Sequence, residues 1–174
     1  ETISYADLVN RSRALARLLR ELGVSPGDRV GIYMNKGIDS AVALYGAMFA
    51  GAAYVPLDPL SPTSRLAFVI RDCGIRVLIS ESRKETRVAK LGASGLDLRA
   101  VVGFESETLG YETHDWPRPE PGDLAIDPGV TTQDLCYILY TSGSTGVPKG
   151  IMHTHSSALA WAKVTTATYG MGPS

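Results

Sequence analysis

The sequence predicts an α/β domain built on a mainly parallel sheet with helices on both faces. Two observations carry that reading. Short apolar or β-branched runs alternate with helix-period segments through residues 1–102, and most of the helical segments carry their own start or stop signals. A chain of 174 residues that is 44% apolar can also bury the two layers of core such a sheet needs. Strand–helix–strand succession implies right-handed crossovers, which cover parallel strands on both sides.

The elements follow in order. Ser4 with Asp7 three residues later has the form of a capping box, the serine side chain accepting an amide hydrogen bond from the first turn. Leu8, Leu15, Leu18, Leu19 and Leu22 recur at helical spacing, and Gly23 stands where the helix should end. After a Pro-Gly-Asp turn, Arg29 to Met34 reads as a strand, and Asp39 to Ala50, apolar on most sides, as a well-buried helix. Ala53 to Leu57 is extended, because Pro56 removes a backbone donor and restricts the residue before it. Ser61 is expected to cap a helix that begins at Pro62, runs to Cys73 and stops at Gly74. Ile75 to Ser80 reads as a strand, Ser82 to Leu91 as a helix with a solvated, mixed-charge face, and Arg99 to Val102 as a short strand.

The rhythm then breaks. Residues 103–132 contain Pro117, Pro119, Pro121 and Pro128 and few consecutive apolar residues, so they read as a surface connection without a site. Residues 133–174 resume with a buried strand (Leu135 to Tyr140), a loop, and a helix over Ala158 to Tyr169 in which Trp161 is expected to sit in the core. No internal repeat is visible.

Composition narrows the function classes. A formal net charge of −1 with 20% charged residues points to neither nucleic acid nor an anionic membrane surface. No apolar run is long enough to span a bilayer, and no secretory leader is seen. Cys73 and Cys136 form no CxxC pair, so a reduced, cytoplasmic setting is the default expectation. The sequence opens on Glu1 with no initiating Met, and its start is expected to be cut or processed.

The chemistry is concentrated in Thr141-Ser142-Gly143-Ser144-Thr145-Gly146-Val147-Pro148-Lys149-Gly150. Three glycines, four hydroxyls and one lysine fall within ten residues, directly after a strand. Glycines let bare amides approach an anion, hydroxyls add donors, and a lysine adds a mobile positive charge. Polyphosphate is the ligand that asks for all three, and the carboxyl end of a strand is where open α/β sheets hold ligands. A Walker loop requires lysine immediately after its second glycine, followed by Ser or Thr. Here Lys149 trails Gly146 by three residues, Pro148 intervenes, and Gly150 follows, so a common P-loop hydrolase fits poorly.

Tyr140 to Gly150 (YTSGSTGVPKG) instead resembles, nearly letter for letter, the signature of the adenylate-forming superfamily: acyl-CoA synthetases, luciferases and the adenylation domains of nonribosomal peptide synthetases. Ser4 to Leu8 (SYADL) resembles that family's opening motif, and Ala50 to Pro59 (AGAAYVPLDP) its second. The resemblance implies that the chain is the amino-terminal part of the large core domain. It also implies the reaction, in which a carboxylate joins the α-phosphate of ATP with Mg²⁺, pyrophosphate leaves, and a coenzyme A or phosphopantetheine thiol then takes the acyl group. Carried over, Thr141, Ser142, Gly143, Ser144, Thr145 and Gly146 would wrap the β- and γ-phosphates. Lys149 would assist at pyrophosphate, while Pro148 and Gly150 shape the loop exit. His155 stands where the family commonly has a histidine near the acyl end, and a helix-start role stays equally open. His153 lies outside that pattern and is read as incidental. The two histidines would share a face if the stretch is extended, but no third ligand follows, so no metal site is expected in this chain. Tyr5, Tyr54 and Asp58 are read as structural.

AYVPLDP, followed by the Pro62 helix and Asp72 to Ser80 (DCGIRVLIS), resembles peptide-synthetase-type domains more than fatty acyl-CoA ligases, which implies an amino or other small carboxylic acid as substrate and a carrier protein as a possible partner. The family's later segments, which hold the substrate pocket, the magnesium-binding glutamate and the lid lysine, are not found here. The piece alone is therefore expected to be inactive and, with sheet edges and apolar faces uncovered, to self-associate. Two alternatives stand beside this reading: a nucleotide-hydrolysing P-loop protein, and a degenerate adenylation-like module used only for interaction.

Overall fold

A computed structural model of the chain describes residues 2–121, 127–141 and 147–171. Helix α1 (Tyr5–Glu21) starts as expected: the Ser4 hydroxyl accepts from the Asp7 amide at 3.0 Å and donates to the Asp7 carboxylate at 2.6 Å. It ends on Gly23, whose φ of 80° lies in the region glycine adopts without strain. Then follow β1 (Arg29–Tyr33), α2 (Ile38–Phe49), β2 (Ala53–Pro56), α3 (Thr63–Asp72), β3 (Val77–Ser80), a 3₁₀ turn (Ser82–Lys84) with α4 (Glu85–Gly92), and β4 (Ala100–Val102). The chain closes with β5 (Glu112–His114), β6 (Leu135–Thr141), β7 (Lys149–Thr154) and α5 (His155–Tyr169).

The strands form one sheet in the order β5-β4-β3-β1-β2-β6-β7. Every described pairing is parallel except β6 with β7. Alternation along the strands feeds two cores. Val30, Ile32, Val77 and Ile79 face α1 and α2 with Leu15, Leu19 and Val42, while Tyr33, Leu78 and Val101 face α3 and α4 with Leu66, Ile70 and Leu91. Helices therefore cover both faces, as expected for parallel strands. On the first face α1 and α2 approach closely because Gly46 has no side chain: a Cβ there would lie 2.6 Å from Leu15 Cδ2.

Four local expectations are corrected. Pro62, at φ −57° and ψ 150°, is itself the cap of α3, and the helix begins at Thr63. Ser61 stands one residue too early to cap it, and its hydroxyl donates to Asp58 Oδ2 at 3.0 Å instead. Residues 103–132 are more than a surface connection. They supply β5, which pairs with β4 (Ala100↔Glu112 to Val102↔His114), and they bury Phe104 and Leu109. Residues 149–154 form an edge strand that the apolar pattern did not announce. Trp161 is 69% exposed rather than in the core, and α5 buries none of its residues, because no described element covers its outer side.

Between β5 and β6 the chain returns along α1. Arg17 donates to the Arg118 carbonyl at 3.3 Å and Arg20 to the Asp127 carbonyl, which latches the connection to the helix. None of the helices is long and apolar enough to cross a membrane, among the described residues.

Candidate phosphate-binding site

Ser142, Gly143, Ser144, Thr145 and Gly146 lie outside the described residues, so the site is built from what flanks them. β6 delivers Thr141 at its carboxyl end, and β7 returns antiparallel with Lys149 as its first residue. The two are register partners, so a hydroxyl and an ammonium stand opposite each other at the mouth of the loop. Lys149 is exposed and has no acidic partner among the described residues. A solvated, unpaired cation beside a hydroxyl is free to meet an anion.

The next register pair, Tyr140↔Gly150, explains the glycine that closes the motif. A Cβ at Gly150 would lie 3.1 Å from both Tyr140 Cζ and Ile138 Cγ2, so the tyrosine ring occupies the space a side chain would need. The Tyr140 phenol donates to the Asp72 carboxylate and sits 3.2 Å from Cys73 Sγ. Burial, and next the hydrogen bond to Asp72, push the phenol well above its ordinary range, so it keeps its proton. Neither Asp72 nor Cys73 was read from the sequence as part of this site, since each meets Tyr140 only through the fold.

His155 is the first residue of α5, capped by Thr154, whose hydroxyl accepts from the Ser157 amide at 3.2 Å. Its amide donates to the Asp134 carbonyl at 3.0 Å, and its Nε2 is buried without a hydrogen-bond partner among the described residues. Asp134 is held below the usual carboxylate range, first by the Thr131 amide, then by the Thr131 hydroxyl, with a smaller contribution from His155. The helix-start role of His155 is thus a feature of the fold.

His153 is not incidental. Its ring stacks on Tyr137 with centroids 4.5 Å apart, and Tyr137 stacks on Tyr54 at 5.2 Å, a three-ring ladder across β2, β6 and β7. His153 lies in β7 and His155 opens α5, and among the described residues no group of three His, Cys, Asp or Glu side chains could hold a metal ion.

Asp58 does what its structural reading required. It accepts from the Leu60 amide and the Ser61 hydroxyl, each at 3.0 Å, and these bonds hold its carboxyl below the ordinary range. With Arg65, Leu66 and Tyr140 it lines a cavity of about 420 Å³ beside the carboxyl ends of β2 and β6. A second cavity, of about 470 Å³, lies at the opposite end of the sheet among Arg29, Arg71 and Arg76.

The chain has relatives among known proteins. The profile of the family described as AMP-binding enzyme matches residues 1–173. Gramicidin S synthase 2 of Brevibacillus brevis is 34% identical over 165 residues, covering 92% of this chain and 3% of that protein. Zwittermicin A synthase ZmaJ of Bacillus cereus is 38% identical over 159 residues, covering 91% and 27%. Among solved structures, the nonribosomal peptide synthetase FmoA3 bound to α-methyl-L-serine-AMP superposes with a TM-score of 0.75 at 27% identity, over 99% of this chain and 17% of that one. The anthranilate CoA ligase AuaEII with anthranoyl-AMP gives 0.77 at 28% identity, over 90% and 29%. The chain thus spans less than a third of each of these relatives.

Proposed function

The chain belongs to the AMP-binding enzyme family, and from that premise we propose that its parent activates a carboxylic acid, an amino or other small acid, as the acyl-AMP. The observation that carries the reading is the Thr141–Lys149 pair, held across the mouth of the β6–β7 loop with the lysine unopposed by any described acid. In the proposed step a carboxylate oxygen attacks the α-phosphorus of ATP, a new O–P bond forms, and the bond to the β-phosphate breaks with release of pyrophosphate. Both reactants are anions, so the site's task is to supply positive charge and fixed donors. Lys149 does the first at the leaving pyrophosphate. Thr141 does the second, together with Ser142, Gly143, Ser144, Thr145 and Gly146. His155 shapes the acyl end. Magnesium, held by an acid outside these residues, would supply further positive charge at the phosphates.

Later steps extend the reading: transfer to a coenzyme A or phosphopantetheine thiol, a carrier protein as partner, and a cytoplasmic setting. Residues 1–102 serve as the βαβ body, 103–132 as a segment that adds β5 and leads back to β6, and 133–174 as the phosphate-binding portion. The piece is inactive alone and self-associates, a reading supported by the exposed Leu159, Trp161 and Val164 on α5 and Met152 on β7.

The test is acid-dependent ATP–pyrophosphate exchange by the intact parent, across amino, aryl and fatty acids. Exchange with one acid class is expected, and none by the 174-residue chain alone. ATP hydrolysis without exchange would instead favour a P-loop hydrolase, and neither activity a binding module.

A further inference from the structure

Beyond Ile138 the β6–β7 strand pair has little to hold it. β6 meets β2 at one register pair, Tyr54↔Tyr137, and β2 stops at Pro56. β7 is the last strand of the sheet among the described residues, and Leu139, Ile151 and Met152 are exposed. Among the described residues, one side chain hydrogen-bonds the far end of the pair to the body. The Tyr140 ring lies against Gly150 on β7, while its phenol reaches Asp72 and Cys73 at the carboxyl end of α3. A ring packed on both strands and hydrogen-bonded to a helix fixes the pair in direction and height.

Asp72 is otherwise hard to account for. An acid at the last position of a helix opposes the helix dipole, which favours cations there. Its carboxylate has one described hydrogen-bond partner, the Tyr140 phenol. A phenol donating to a carboxylate makes a charge-assisted bond, among the stronger kinds available to side chains.

We propose that Asp72, which lies in none of the three motifs, is a positioning residue for the phosphate-binding end, acting through the Tyr140 phenol to fix where Thr141 and Lys149 stand. The inference rests on reading that end as the ATP polyphosphate site. Asp72 touches no reacting atom. It sets the height of the Thr141–Lys149 mouth, and catalytic geometry is sensitive to displacements of about 1 Å.

The test uses the intact parent with Asp72→Ala, Asp72→Asn, Tyr140→Phe and the double variant Asp72→Ala/Tyr140→Phe. In the exchange assay KM for ATP rises about tenfold in Asp72→Ala and Tyr140→Phe, the size expected for loss of one charge-assisted hydrogen bond. KM for the acid stays put, Asp72→Asn recovers most of the loss by keeping an acceptor oxygen, and the double variant is no worse than either single one. Loss of folded protein alone would lower the apparent kcat and leave KM for ATP unmoved. An unchanged KM for ATP in both single variants, or additive losses in the double, overturns the proposal. Hydrogen exchange of residues 147–154 without nucleotide supplies a readout independent of activity: faster exchange in both single variants supports the tether, and wild-type protection in both overturns it. A parent that exchanges pyrophosphate with no acid removes the functional reading, and hydrogen exchange then decides the role of Asp72 as an anchor.

Discussion

Replacing Gly103 by alanine should be among the most damaging single-methyl additions in the chain. Gly103 follows β4 with φ at 118°, beyond the range open to residues with a side chain, and its amide donates to the His114 carbonyl at 2.8 Å. A Cβ there would lie 2.1 Å from the Ser80 carbonyl oxygen, which is backbone and has no rotamer to escape into. The conformational strain costs about 1–3 kcal/mol, and the overlap about 1–3 kcal/mol more. Relief would shift Ser80, whose buried hydroxyl donates to the Tyr33 carbonyl at 2.8 Å, and so disturb the end of β1 as well. The sum, about 2–6 kcal/mol, divided by a urea slope of about 2 kcal/mol per M, lowers the unfolding midpoint by about 1–3 M. Trp116 reports the change directly, since its Nε1 would be 3.4 Å from the added methyl, and the exposed Trp161 can be silenced as Phe. Gly110→Ala, whose methyl would enter open space, is the control and should shift stability by less than about 0.5 kcal/mol. Equal midpoints for the two variants would refute the reasoning.

The other predictions concern the site and the titrating groups. Lys149→Ala should cut acid-dependent pyrophosphate exchange about 100-fold in the parent, with an unchanged urea midpoint because the side chain is exposed; an unchanged exchange rate would sink its assigned role. Asp58 and Asp134 both have depressed carboxyl pKa values, so each contributes stability that is complete above the ordinary carboxylate range and lost as pH falls through its folded value. An NMR titration should place both below a free aspartate, and Asp58→Asn should flatten the acid limb of the stability curve. Burial raises the pKa of both Cys73 and Cys136, so their thiols should react with a disulfide reagent at neutral pH far more slowly than a free cysteine, and at the free rate in urea. Fast labelling of the folded chain would contradict their burial.

Much of this fold was legible because its signals are local. The Ser4 cap, the leucine spacing of α1 and the stop at Gly23 all lie within one element, and each was found where the sequence put it. The cap of α3 slipped by one residue because Pro62 suits both a cap and a first helical position, and only its ψ of 150° decides. β5 left no trace: three residues, Glu112 to His114, are too few for an alternating pattern. Trp161 shows a different limit, since an apolar helix announces that something should cover it without saying what does. The phosphate-binding segment could be read from residue types alone. Its tether could not, because Tyr140 and Asp72 are 68 positions apart and belong to no shared pattern.

The route between β5 and β6 has a consequence for how the protein assembles. The first hundred residues can collapse around their own neighbouring strands as they leave the ribosome. β6 must wait until the chain has travelled to one edge of the sheet and back along α1 before it reaches β2. A β-hairpin forms in about 1–10 μs, so the β6–β7 ribbon can exist before it has anywhere to dock. Its docking must close a loop of roughly eighty residues, a slower event governed by chain entropy. Arg17 and Arg20 hold the returning segment against α1 at the Arg118 and Asp127 carbonyls, and once those bonds are made only a short stretch separates it from β6. The part of the molecule that would handle nucleotide thus docks after the strands of residues 1–102, and a nascent chain should acquire that scaffold well before it acquires this chemistry.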